Sequence, residues 1–199
     1  MQEINFKKII EIGKTIEPNF LIEANQYDYY EILFEYFSGR GNTLDNKKGL
    51  LISGNVGTGK TLSMQIMQRI FGLKIISSRH LIREFLQSKL NGMDVLDLYG
   101  RKSFNTNPAG NIDVKKPINI CFDDLGLEEV NAQMYGNKQN ILAEILLDRY
   151  EQFRNHGMKT FATTNLKAKD IEDLYGNRVR DRMREMMNYL QLEGTSKRK

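Results

Sequence analysis

Residues 54–61 read Gly54-Asn55-Val56-Gly57-Thr58-Gly59-Lys60-Thr61, and Leu62 follows. Glycines, a lysine and a hydroxyl at this spacing are suited to holding a polyphosphate. The glycines let backbone N–H groups turn inward around anionic oxygens. A helix starting at the lysine adds free donors and the positive end of its dipole. Lys60 would place its charge between the β- and γ-phosphates, and Thr61 would offer its hydroxyl to Mg²⁺. The pattern carries weight only between a strand and a helix. Residues 49–53, Gly-Leu-Leu-Ile-Ser, form a short apolar run fit for a buried strand, and Leu62, Ile66 and Ile70 repeat at helical spacing with Met64, Met67 and Phe71 beside them.

Three further groups could complete such a site. The run Ile118-Asn119-Ile120-Cys121-Phe122 ends in Asp123 and Asp124, and Asp123 stands 63 residues after Lys60. Asp123 is suited to hold Mg²⁺ through its water shell, and Asp124 to orient an attacking water; the alternative is a polar strand end that caps a turn. Residues 160–164 form another short run, and Asn165 follows it. Its amide could bond a γ-phosphate or the water, or it could simply open a turn. Gly176 reads as a helix stop and Asn177 as the N-cap of a new helix. On that helix Arg178 and Arg182 share a face. Two guanidiniums so placed can meet a phosphate bidentately, and an arginine reaching a neighbouring subunit's nucleotide is worth ~10³–10⁵ in rate in well-studied cases. Surface ion pairs with Asp181 and nearby acids are the other reading.

These groups need a scaffold that brings them to one edge. Four apolar runs, at residues 50–53, 74–77, 118–122 and 160–163, are strand candidates, and helical patterns lie at 62–71, 79–90 and 139–155. Their alternation predicts a parallel sheet with right-handed crossovers, whose strand C-termini form the ligand edge. Residues 3–37 read as helical, broken at Pro18, with Tyr29, Ile32, Leu33, Tyr36 and Phe37 on one face. The expected organisation is an N-terminal helical segment, 1–46, and an α/β P-loop domain, 47–199. Residues 92–116 are rich in Asn and Gly and carry Arg101, Lys102, Lys115 and Lys116. They read as a long loop, with a short helix from Asp94 to Tyr99; such loops serve function or are disordered.

Composition agrees with this class. The chain has 199 residues, 40% hydrophobic and 27% charged, as in ordinary globular domains. No apolar stretch is long enough to span a membrane, and Glu3, Lys7, Lys8 and Glu11 argue against a signal peptide. A single cysteine, Cys121, excludes an internal disulfide and points to a reducing, cytoplasmic setting. The net charge of +4 is concentrated late: residues 178–199 hold seven Lys/Arg against three Asp/Glu. A basic patch for nucleic acid is one reading, and a solvated helix with a frayed Lys-Arg-Lys tail at 197–199 is the other.

In this order the motifs resemble the AAA+ ATPases of the DnaC/DnaI helicase-loader family and the related IstB transposition ATPases. The resemblance rests on GNVGTGKT at 54–61, FDDLG at 122–126, DRYEQF at 148–153, TTNL at 163–166, the arginine box from Gly176 to Met183, and a terminal strand with a G-x-S ending, Leu190 to Ser196. It covers roughly residues 25–199. It implies a three-layer α/β fold, a P-loop NTPase with an AAA+ core, a parallel sheet flanked by helices and no lid domain. It implies ATP and Mg²⁺ as ligands, slow hydrolysis, a homo-oligomer formed with ATP, and contact with single-stranded DNA. The implied protein partner is a replicative helicase, or a transposase in the IstB branch. Lys60, Thr61, Asp123, Asp124, Asn165, Arg178 and Arg182 match the family's functional positions, Arg182 most resembling its trans-acting arginine. The resemblance thus implies an ATP-dependent replication protein, with a transposition ATPase as the alternative; a P-loop small-molecule kinase is the competing enzyme class. With only a short segment before the core, helicase contact would fall to the first helices.

Overall fold

Strand β1 (Gly49–Ser53) lies inside a five-stranded sheet with β2 (Lys74–Ser77), β5 (Ile120–Leu125), β8 (Thr160–Thr164) and β9 (Met187–Gln191). The order is β2-β5-β8-β1-β9 and every pairing is parallel. The computed structural model describes residues 2–90, 92–127, 132–134, 137–194 and 196. The basic tail at 197–199, and Thr195 of the G-x-S ending, lie outside the described residues. Helices α3 (Lys60–Phe71), α4 (Ser78–Gln87), α5 (Met93–Tyr99), α6 (Ile141–His156), α7 (Ala168–Tyr175) and α8 (Asn177–Met186) flank the sheet, preceded by α1 (Gln2–Ile16) and α2 (Tyr27–Ser38). The expected three-layer α/β P-loop architecture is therefore present.

Alternation along each strand sends side chains into two cores. Ile120, Phe122 and Ala162 join a cluster with α4, α6 and α8, while Cys121, Phe161, Leu50 and Ile52 join one with α1, α2 and α3. Burial on both faces explains the near-continuous apolar runs of these strands. The second core holds Ile9, Phe20, Tyr30 and Leu33 together with Met64 and Met67, so the first two helices pack on the back of the phosphate-loop helix. Gly13 admits this: a Cβ there would stand 2.1 Å from the Phe20 ring.

Two elements depart from the sequence expectation. The carboxylate strand begins at Ile120 and runs to Leu125, later than the expected 118–122, because Pro117 and Ile118 belong to the preceding strand and its exit. Residues 92–116 are ordered: α5 covers the expected short helix, and β3 (Phe104–Thr106) pairs antiparallel with β4 (Ile112–Pro117). Their turn is closed by Asn107, whose Oδ1 accepts from Ala109 N and Asn111 N, each at 3.0 Å. The hairpin lacks a period-two apolar pattern since β4 is largely exposed, and this hid it. A second small hairpin, β6 (Ala132–Met134) with β7 (Asn137–Gln139), is also present. Helix α8 starts at Asn177, with Gly176 (φ 88°) rather than Asn177 as its N-cap.

Arg149, in the DRYEQF string, is fully buried. Its Nε donates to Thr160 Oγ1 (2.8 Å), Nη1 to Tyr99 O (3.0 Å), and Nη2 to Ile118 O (3.0 Å) and Lys159 O (2.8 Å). The guanidinium also lies 5.7 Å from the Phe122 ring centroid. One side chain thus fastens α6 to α5 and to the entries of β5 and β8. Burial lowers its pKa to about 9, the cost of a charge held by neutral acceptors alone. Arg149→Met would keep the stem and orphan three carbonyls and a hydroxyl. At about 1–3 kcal/mol per unsatisfied buried group, unfolding free energy should fall by at least about 2 kcal/mol in urea titration. An unchanged midpoint would mean the network carries no stability.

Candidate nucleotide site

The loop after β1 turns through Gly57 (φ 83°) and Gly59 (φ 100°), conformations that side chains other than glycine rarely adopt. Two of its glycines are also crowded from behind. A Cβ on Gly54 would lie 2.3 Å from Leu192 O, and one on Gly57 would lie 2.3 Å from Ser196 Oγ, so the segment after β9 packs on the loop. Thr58 Oγ1 donates to Asn55 O (3.0 Å), bracing the turn, and Val56 is exposed at its tip. Helix α3 begins at Lys60, with no side chain capping its first N–H groups. Those donors face the cleft, the geometry that favours an anion. Leu62 lines the cleft and is packed on the core beneath α1 and α2.

Lys60 is 5% exposed, and its Nζ donates to Gly54 O (2.8 Å), Asn55 O (2.8 Å) and Asn165 Oδ1 (2.7 Å). The last bond joins the loop to the end of β8, 105 residues later in sequence. Thr61 Oγ1 donates to Asp123, 2.9 Å from Oδ1 and 3.1 Å from Oδ2. Thr163 Oγ1 donates to Asp123 Oδ1 at 2.7 Å and accepts the backbone N–H of Asp124 at 2.9 Å. Burial pushes the Asp123 carboxyl above its usual range, while the Thr163 and Thr61 hydroxyls and the Lys60 charge act in the opposite direction. Asp124 has φ 59°, alone among described non-glycine residues in the positive range. Aspartate tolerates this left-handed geometry better than most side chains, and the twist accompanies an irregularity in the β5–β8 ladder between Phe122 and Leu125.

Gly57, Gly59, Lys60, Thr61, Asp124 and Asn165 line one cleft of about 1110 Å³. Its opposite wall comes from the last residue of α1, Ile16, from the chain leading to α2, including Phe20 and Glu23, and from Leu127. That wall was not visible in the sequence, which has no local motif there, and neither was the bridging role of Thr163. Loop donors, a lysine and a threonine–aspartate pair fit a triphosphate with Mg²⁺: Thr61 and Asp123 would hold the ion and Lys60 the phosphates. Among the described residues no cluster of three Asp, Glu, His or Cys could hold a metal, so phosphate oxygens and water would complete its shell.

Arg178 and Arg182 do not line the cleft of their own chain. Arg178 is exposed on α8. Arg182 lies back on α6, its guanidinium 4.7 Å from the Tyr150 ring centroid and 3.7 Å from Glu185 and from Asp181. Arg180 pairs with Glu172 at 3.0 Å.

No family model matches the sequence, and neither does any curated protein. Solved structures do. A primosome component from Streptococcus pyogenes serotype M3 superposes at TM-score 0.56 and 17% identity, covering 88% of this chain and 84% of that one. The DnaC helicase loader gives TM-score 0.57 at 16% identity, over 89% of this chain and 96% of that one. The replication initiator DnaA bound to AMPPCP and single-stranded DNA gives 0.58 at 15%, over 89% of this chain and 49% of that one. The shared feature is the fold, a parallel sheet flanked by helices.

A carboxyl whose folded pKa is raised costs stability once ionised, and the cost disappears as pH falls through that raised value. At neutral pH, Asp123→Asn should therefore raise the melting temperature of the nucleotide-free protein. It should also remove the Mg²⁺-dependent part of any stabilisation by ATP. Thermal unfolding with and without Mg²⁺ and ATP checks both, and a lower melting point without nucleotide would refute the first.

Proposed function

We propose that this chain is an ATPase acting in DNA replication in the manner of a helicase loader, using ATP to control its assembly on single-stranded DNA and with a replicative helicase. The observation that carries the reading is a division of labour. The phosphate loop, Asp124 and Asn165 line one cleft, and Asp123 stands behind it on the Thr61 hydroxyl, while Arg178 and Arg182 stand on α8 outside it. A site so divided is completed by an arginine from a second copy, which makes nucleotide binding and assembly one event.

The geometry supports the following residue roles. The loop N–H groups and the start of α3 bind the phosphates. Lys60 exchanges its carbonyl acceptors for phosphate oxygens, keeping Asn165 at its side to report on the γ-phosphate. Thr61 and Asp123 would hold Mg²⁺, which would supply positive charge to offset that of the phosphates. Asp124, turned into the cleft by its backbone, orients a water and accepts its proton. An aspartate reaches less far than a glutamate would, in keeping with slow turnover. The basic C-terminal segment provides a DNA contact, and the first two helices offer a surface for the helicase.

Light scattering with ATP, ADP or no nucleotide, with and without single-stranded DNA, tests the reading. Assembly should require ATP, strengthen with DNA, and fail in Arg182→Ala. A monomer under every condition, with phosphate transferred to a small acceptor, would replace it with a kinase. Asp124→Asn should keep ATP binding and lower turnover by about 10²-fold or more, the usual worth of a positioned base. Turnover unchanged in single-turnover kinetics would remove Asp124 from that role.

A further inference from the structure

Arg182 sits in a specific setting. Its guanidinium lies over the Tyr150 ring at 4.7 Å, and its Nη1 stands 3.4 Å from the Tyr150 hydroxyl and 3.7 Å from Glu185 Oε2. Tyr150 donates its own hydroxyl to Glu185 Oε2 at 2.7 Å, and Arg154 Nη1 holds Glu185 Oε1 at 2.6 Å. Glu185 is thus fixed from two sides by α6 residues and offers the remaining face of its carboxylate to Arg182. The Tyr150 hydroxyl and the Arg154 charge hold it below the usual carboxylate range, so it stays ionised. Arg178, one turn earlier on α8, has no such partner among the described residues.

Accepting the trans-arginine reading above, on which this rests, we propose that Tyr150 and Glu185 are positioning residues that hold Arg182 retracted against α6 until the γ-phosphate of a neighbouring copy's nucleotide takes Glu185's place. The hold is weak enough to yield. The pair is about one-third exposed on each side chain, where ion pairs and cation–π contacts contribute little. A phosphate, by contrast, meets a guanidinium through two charge-assisted bonds. Tyr150 would keep the stem aligned on α6 while the charged end changes partners, limiting the rotamer freedom that must be lost on assembly.

The retracted state is read in the nucleotide-free monomer from the side-chain NMR signal of Arg182. The Tyr150 ring current should shift it, and Tyr150→Leu should abolish the shift; an unshifted signal in the parent protein overturns the hold. Glu185→Gln, with an unchanged melting temperature as its folding control, should lower the ATP concentration for half-assembly by about two- to fivefold, the scale of an exposed pair. It should have no effect in an Arg182→Ala background, a non-additivity expected only if the two act together. No change in Glu185→Gln while Arg182→Ala disrupts assembly would overturn the proposal and leave the trans-arginine reading standing. An Arg182→Ala protein that assembles and turns over normally, with the ring-current shift still present in the parent, would overturn both. Tighter binding of single-stranded DNA by Glu185→Gln without nucleotide would assign the released arginine to DNA instead and overturn the nucleotide assignment.

Discussion

Between the strand that ends in the phosphate loop and the strand that ends in the carboxylates runs a third strand, β8, paired in parallel with both. Neighbouring strands lie about 4.8 Å apart, so its insertion separates β1 from β5 by roughly 10 Å. That gap is the width of a crevice, and it must be lined by groups that bond both ways. Thr163 and Asn165 do so. One hydroxyl reaches Asp123 and the Asp124 backbone on β5, and one amide reaches Lys60 at the start of α3, beyond the loop that follows β1. Thr61 closes the circuit from α3 to Asp123. The site's geometry follows from the position of β8 in the sheet.

The same polar circuit is costly to bury. Burial works against the charged form of Asp123, Lys60 is nearly enclosed, and Asp124 occupies a backbone region that favours glycine. Such groups persist where the surrounding structure over-determines them. Here the over-determination comes from the two cores on either side of the sheet and from Arg149, whose four hydrogen bonds lock α6 and α5 to the strand entries opposite the cleft. The N-terminal helices contribute on the other face by packing Phe20, Tyr30 and Leu33 against Met64 and Met67 under the phosphate-loop helix. The chain linking them also walls the cleft, so a stabilising element and a binding element are the same piece of backbone.

The outer face of α8 follows a different logic. Its arginines stand outside the cleft: Arg180 pairs with Glu172, Arg182 rests on Tyr150 and Glu185, and Arg178 and Arg184 are exposed. Weak, exposed pairings of this kind add little to stability. They leave the charges available for exchange, which buried pairs would not.

Much was legible in the sequence. The glycine loop, the strand before it and the helix after it are local features, set by backbone freedom and by apolar periodicity over a few residues. The strands at 74–77 and 160–163 and the helix ending at Gly157 were legible for the same reason. The hairpin of β3 and β4 was not, because an exposed ribbon needs no alternating pattern. Nor was the work of Arg149 or Thr163, whose partners are scattered through the chain. The sequence by itself determined which residues carry charge, hydroxyls and turns, and hence a glycine loop suited to phosphate in an α/β sheet. Only the tertiary structure decided that β8 passes between the loop and the carboxylates, that residues between the first two helices wall the cleft, and that Arg182 rests on Tyr150 and Glu185. These are contacts between residues distant in sequence, fixed by the packing of the whole chain rather than by any local pattern.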